Sequence, residues 1–120
     1  MSVLPRIERE VYEGFVRLGF KEKDMELLDI ARKIETLNSR LKSLEEALRT
    51  CKPREIVYYY GRVMGDIEKL KDVIMKRGLA LKPMPEEAVA IIDKLEDMEK
   101  EIMERATEGI KTCSIRGLIE

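Results

Sequence analysis

The sequence predicts an all-α fold, an antiparallel up-down-up bundle of three long helices with a shorter N-terminal helix packed across it. Two apolar heptad runs predict this fold, together with a composition of 39% charged and only 5% aromatic residues. Apolar residues spaced three and four apart form one stripe along a helix, which is stable only when it is buried against another helix. The first run is Leu27, Ile30, Ile34, Leu37, Leu41, Leu44 and Leu48. The second run is Ile56, Tyr60, Val63, Ile67, Leu70 and Ile74.

The first predicted helix covers residues 5–18. Pro5 is favoured in a first helical turn, and Gly19 is typical of the left-handed residue that ends a helix. Phe20 follows this expected end. Its ring can fold back onto the expected buried face of the helix, which consists of Ile7, Val11, Phe15 and Leu18.

The next two helices are predicted over residues 24–49 and 54–77. Asp24 can cap the N-terminus of the first of them, and Pro53 suits the first turn of the second, which Gly78 is expected to end. Because the connection between them is short and both helices carry a stripe of similar length, we expect an antiparallel hairpin.

The last long helix is predicted over residues 86–108, after a connector in which Pro83 and Pro85 prevent helix formation. Its apolar stripe is Ile91, Leu95, Met98, Ile102 and Ala106. The chain, residues 1–120, is expected to form a single domain. The tail, residues 109–120, has apolar residues with which it can dock after a turn at Gly109.

Cys51 and Cys113 are a candidate disulfide pair. In an up-down-up bundle, the second and fourth helices end at the same pole, and each cysteine follows one of these ends. Closing a loop of about 60 residues would stabilise the fold by roughly 4 kcal/mol. Two unrelated thiols and a reactive cysteine site are the alternatives that the sequence leaves open.

Composition excludes several function classes. The chain has no His, so a histidine-dependent catalytic triad, a phosphotransfer histidine and a Glu-x-x-His di-iron bundle are excluded. Two cysteines alone cannot form a structural zinc site. We therefore expect no catalytic residue, no metal and no cofactor.

The composition also indicates the kind of organism that the protein comes from and its cellular location. Gln is absent, Asn38 is the only Asn, and acidic and basic residues are nearly balanced, with a net charge of −1. This pattern is typical of thermophiles and suggests an archaeon or an archaeal virus. Because neither a signal peptide nor a span of about 20 apolar residues is visible, we expect a cytoplasmic protein with no membrane contact.

A candidate interaction surface lies on the third predicted helix. It comprises Arg54, Tyr58, Tyr59, Gly61, Arg62 and Gly65. A glycine inside a helix costs about 1 kcal/mol relative to alanine, so a pair one turn apart indicates a close approach to the backbone. Crowding by the first or fourth helix is one explanation, and contact with a second subunit or a ligand is the other. Exposed aromatic rings beside cations can receive a protein partner or stack bases.

The fourth predicted helix carries a carboxylate stripe of Asp93, Asp97, Glu101, Glu104 and Glu108. Its plain interpretation is a solvated face. The functional interpretation is a Mg²⁺ site acting on a phosphate substrate, for which Glu26 and Asp29 would have to supply a second acidic pair.

The function that the sequence favours is a non-enzymatic helical scaffold or adaptor acting through protein–protein contacts, self-associating as a homodimer. Spare apolar positions support the dimer, namely Val57, Met64, Met75, Val89 and Ile92. The first alternative is a nucleic-acid-associated protein that uses the Tyr and Arg residues at one pole, although the net charge of −1 argues against nucleic acid as a partner. The second is a metal-dependent phosphohydrolase that uses the carboxylates of the fourth helix.

Overall fold

The computed structural model describes residues 4–80 and 86–119, with side-chain burial described for residues 4–77 and 89–113. It is an all-α bundle of four helices without strands in these ranges. The helices are α1, Arg9–Glu22; α2, Met25–Arg49; α3, Pro53–Ala80; and α4, Glu86–Ile119. The bundle is a rod with extents of 56 × 23 × 21 Å. The predicted fold class is confirmed.

The core is built from the predicted heptad stripes. All of the α2 run is buried except Leu48, which is half-buried, and all of the α3 run is buried except the half-buried Tyr60. From α4, Ile92, Leu95, Met98, Ile102 and Ala106 contribute to the core, whereas Ile91 of the predicted stripe is half-buried. The apolar stripes of the three long helices therefore pack against one another in one buried apolar seam.

Ion pairs between helices flank this seam and report the helix order. Arg40 of α2 contacts Asp66 of α3 with 2.5 Å between Nη1 and Oδ1, and Lys71 of α3 contacts Glu99 of α4 at 2.5 Å. The end of α3 meets the start of α2, where Arg77 binds Asp24. The Arg40–Asp66 and Arg77–Asp24 pairs together require α2 and α3 to run antiparallel, as predicted. The Lys71–Glu99 pair and the approach of Cys51 to Cys113 require the same of α3 and α4.

The start of α1 differs from the prediction, because residues 4–8 are extended and the helix begins at Arg9 rather than at Pro5. Side chains of α2 bind the backbone of this segment. Asn38 accepts a hydrogen bond from the Ile7 N–H at 3.2 Å and donates one to the Ile7 carbonyl at 3.0 Å. Glu45 accepts one from the Leu4 N–H at 3.0 Å. With these backbone groups satisfied, the segment does not need to be helical.

The end of α1 also differs, because the helix continues to Glu22 rather than stopping at residue 18. The left-handed residue is Lys23, with φ of 51°, and not Gly19. Gly19 lies inside the helix and faces Leu28 of α2, so α1 packs closely against α2 at this point. The ring of Phe20 is 70% exposed, so the expectation that it folds back is wrong.

The turn between α2 and α3 is as short as predicted. Cys51 has a φ of 52°, and the Lys52 N–H donates a hydrogen bond to the Ala47 carbonyl at 3.1 Å. Pro53 is the first residue of α3, which passes through Gly78 to Ala80 instead of ending at residue 77. Asp24 caps α2 as predicted and accepts hydrogen bonds from the Glu26 and Leu27 N–H groups at 3.0 and 3.4 Å.

The largest correction concerns the tail. Helix α4 does not stop at residue 108 but continues to Ile119, without a positive φ at any described glycine. The tail therefore extends the helix and does not turn back at Gly109. The Gly109 backbone instead packs against the Leu48 side chain of α2, in a space that a Cβ atom would fill. Because Gly109 has no side chain, α4 can pass Leu48 as a continuous helix.

The helical tail still brings the two cysteines together. Cys51 and Cys113 form a disulfide with 5.1 Å between their Cα atoms. Cys113 is buried, so the bond lies against the core. The predicted approach of the two cysteines to disulfide distance and the shared pole of α2 and α4 are confirmed, but the predicted path of the tail between them is wrong.

Candidate interaction surface

The six predicted residues Arg54, Tyr58, Tyr59, Gly61, Arg62 and Gly65 all lie in the first half of α3, and we call them the α3 surface. Arg54, Tyr58, Gly61, Arg62 and Gly65 are exposed, whereas Tyr59 is half-buried. Helical periodicity explains this split, because Ile56, Val63 and Ile67 on the opposite side of α3 are buried in the core. The structure brings these residues together on one accessible side of the bundle.

The aromatic part of the α3 surface is centred on Tyr58. The Arg62 guanidinium lies 5.4 Å from the centre of the Tyr58 ring, and its Nε donates a hydrogen bond to the Tyr58 hydroxyl at 3.3 Å. The Tyr59 ring meets the Tyr58 ring edge to face, with 5.1 Å between the ring centroids. These contacts place an exposed aromatic ring beside a cation. Tyr60 is half-buried and packs against the core, as its place in the heptad predicts.

The glycines of the α3 surface are open to solvent. A Cβ atom at Gly61 or at Gly65 would have nothing within 4 Å among the described residues. Crowding by α1 or α4 is therefore wrong as an explanation for this pair. The close packing that the sequence attributes to Gly61 and Gly65 is found instead at Gly19 and Gly109.

The spare apolar positions fall into two groups. Val57 is 58% exposed and adjoins Tyr58, and Met75 and Val89 are exposed near the opposite pole. Met64 is half-buried, and Ile92 is buried in the core. Only the first group is available to a partner.

Sequence reasoning missed a second exposed apolar surface, at the turn between α1 and α2. Leu18, which is predicted to lie on the buried face of α1, instead projects into solvent there, together with Phe20 and Met25. A signal was present, because Gly19 continues the four-residue spacing of Ile7, Val11 and Phe15. That spacing places Gly19 on the buried side of α1, and its neighbours Leu18 and Phe20 consequently turn outward.

The carboxylate stripe of α4 is a solvated face. Asp93, Asp97, Glu101, Glu104 and Glu108 are all exposed. The acidic pair proposed to complete a metal site is otherwise engaged, since Glu26 binds Arg77 at 2.9 Å and Asp29 binds Lys33 at 2.6 Å. Within the part of the chain that the structure describes, no group of three or more metal-ligating side chains converges.

The charges around the first turn of α3 are partly engaged as well. Arg49 binds Glu46 with 2.5 Å between Nη2 and Oε1, and this hydrogen bond raises the pKa of Arg49 and lowers that of Glu46. Lys52 and Arg54 are exposed. Arg116 could add to these positive charges, but it lies outside the residues whose side chains are described.

Comparison of the chain with protein-family models, with curated proteins and with solved structures gave no match. Across residues 4–80 and 86–119, none of the helices combines the length and the hydropathy needed to cross a membrane. A functional assignment therefore depends on the geometry of the chain itself.

Proposed function

We propose that this protein is a non-enzymatic helical scaffold or adaptor that acts through protein–protein contacts and forms a homodimer through the α3 surface. The observation that supports this proposal is the openness of Gly61 and Gly65 on the outside of a long helix. Each glycine costs a helix about 1 kcal/mol relative to alanine. Because none of the described residues occupies the space that the two glycines leave, a backbone from outside is the natural occupant.

The neighbours of the two glycines suit a protein contact. Val57 and Tyr58 are 58% and 55% exposed, and the Arg62 guanidinium lies over the Tyr58 ring. Tyr and Arg are enriched among the residues that contribute most to binding at protein interfaces. A two-fold dimer is the commonest assembly of identical chains, and it would bury this surface on both copies at once.

The test is the mass of the protein in solution. Sedimentation equilibrium at micromolar concentration should give twice the 14.0 kDa chain mass. The G61Q/G65Q variant should be a monomer, because two long side chains on α3 prevent a close approach. Its helix content, measured by circular dichroism, should be unchanged or higher, because Gln favours a helix more than Gly does.

The matched control is G14Q, which makes the same replacement at an open glycine on α1. This variant should sediment like the unmodified chain. A monomeric unmodified protein would contradict the dimer, and a dimer that tolerates G61Q/G65Q would contradict the choice of the α3 surface.

A second candidate function is nucleic-acid association, favoured by the exposed Tyr58 ring with Arg62 beside it. Stacking of a base on such a ring contributes about 1–3 kcal/mol. Fluorescence anisotropy with a labelled single-stranded oligonucleotide tests this candidate. Y58A/R62A should weaken any binding by at least tenfold, whereas lack of binding to the unmodified protein at low salt would remove the candidate.

A further inference from the structure

The outer line of α3 includes Arg54, Gly61, Gly65 and Asp72, and the exposed Tyr58 and Glu68 lie beside it. The first four residues are seven, four and seven positions apart, so they fall on one side of the helix, opposite the buried Val63 and Leu70. All four are exposed. The line therefore has a cation at one end, an anion at the other and two residues without side chains in the middle.

This arrangement is self-complementary when it is reversed. Arg54 and Asp72 lie at equal distances, about 14 Å along the helix axis, on either side of Val63. The two glycines are also placed symmetrically about that level. A second α3 running in the opposite direction would present its anion to the first helix's cation, and its cation to the first helix's anion.

We propose that two copies of this chain pair through antiparallel α3 helices that cross between Gly61 and Gly65, with Arg54 of each copy facing the partner subunit's Asp72. This inference rests on the self-association proposed above and specifies its geometry. The glycines alone identify no partner. The charges at the two ends of the line identify an inverted second copy.

The alternative directions fit less well. A parallel pair in register would set Arg54 against Arg54 and Asp72 against Asp72, and like charges that face each other are repulsive. Asp72 binds Lys76 of its own helix at 3.0 Å, but both side chains are at least 60% exposed. Such exposed pairs are weak and exchange partners readily, so Asp72 remains available to an arginine from outside.

Charge reversal tests the pairing. R54E and D72R each place like charges opposite one another at both symmetry-related contacts. Each should weaken dimerisation by about tenfold, measured by sedimentation velocity at low salt. The double variant R54E/D72R restores opposite charges and should dimerise like the unmodified protein. An equimolar mixture of the two single variants should form a mixed dimer, because both of its contacts then join opposite charges.

The matched controls are K42E on α2 and D97R on α4, which make the same charge changes at exposed positions on other helices. Circular dichroism of every variant checks that the helices are intact. Weakening by both single changes, absent in the controls and reversed in the double variant, supports the antiparallel pairing. A dimer that is insensitive to both single changes, or that the double variant fails to restore, overturns the pairing and leaves the proposed dimer standing. A monomeric unmodified protein overturns both.

Discussion

Gly19 of α1 faces Leu28 of α2 so closely that a methyl group at position 19 would lie 2.7 Å from the Leu28 Cδ2 atom and 3.2 Å from the Leu28 backbone nitrogen. The contact sets how near α1 can come to the bundle. Because a backbone atom forms part of the obstacle, rotation of the leucine side chain alone cannot make room.

The first prediction concerns this contact. G19A should lower the free energy of unfolding by about 1–3 kcal/mol, because overpacking outweighs the gain in helix propensity. G14A, at an open position of the same helix, should raise it by up to about 1 kcal/mol. Urea denaturation measures both. Equal effects of the two substitutions would show that the α1–α2 distance is not set by Gly19.

The second prediction concerns the core. Leu37 and Leu41 have no exposed surface. L37A or L41A should therefore destabilise the protein by about 2–5 kcal/mol through lost burial and the cavity that remains. M103A, at a half-exposed methionine of α4, should change stability by less than about 0.5 kcal/mol. A leucine effect as small as this control would contradict a seam shared by three helices.

The third prediction concerns the disulfide. Mass spectrometry of peptides from unreduced protein should find Cys51 linked to Cys113. C51S/C113S should lower the free energy of unfolding by roughly 4 kcal/mol, the chain-entropy value for a loop of about 60 residues. Dithiothreitol should lower the melting temperature of the unmodified protein and leave that of the double variant unchanged. If dithiothreitol lowered the melting temperature of both proteins, the decrease would not be due to this disulfide.

The fourth prediction concerns acid pH at the Asp24–Arg77 contact. Burial acts to raise the pKa of Asp24, but hydrogen bonds from Arg77 and from the Leu27 and Glu26 N–H groups outweigh it, so the pKa lies below its usual value. A carboxylate with a lowered pKa stabilises the fold above the pKa of the unfolded chain, near pH 4. That stabilisation is lost as the pH falls through the lowered value.

D24N should therefore unfold more easily than the unmodified protein at pH 7, and the difference should shrink as the pH falls below about 4. Urea denaturation at several pH values between 2 and 7 measures this. D93N, at an exposed residue of α4, is the control and should leave the pH profile unchanged. Parallel profiles for D24N and the unmodified protein would mean that Asp24 does not contribute to the acid sensitivity.

The residues that the sequence predicts well are those whose role depends on spacing alone. The runs that begin at Leu27 and at Ile56 identify the hairpin, because a heptad stripe is stable only when it is buried against another helix. Asp24 and Pro53 act where they are predicted to, since their preferences for a helix N-terminus arise from their own backbone and side chain.

Sequence reasoning fails at the glycines, because a glycine that ends a helix and a glycine that allows close packing cannot be told apart in the sequence. Gly19 and Gly109 are predicted to end helices and instead allow close packing, whereas Gly61 and Gly65 are predicted to be crowded or in contact and are open in the single chain. The choice depends on what lies opposite, which is a property of the assembled bundle. The extended start of the chain is missed for a similar reason, because Asn38 and Glu45 lie more than thirty residues away from the backbone groups that they bind.

The bond between Cys51 and Cys113 also determines how the molecule would respond to a pulling force. If the two ends of this chain were pulled apart, tension would pass from residue 51 directly to residue 113 and bypass everything between them. Helix α3 and most of α4 would carry no load, and only residues 1–51 and 113–120 would lengthen. At about 3.5 Å per residue, full extension would reach roughly 200 Å in the oxidised protein and roughly 400 Å after reduction. Half of the molecule, including the α3 surface, is thus mechanically shielded.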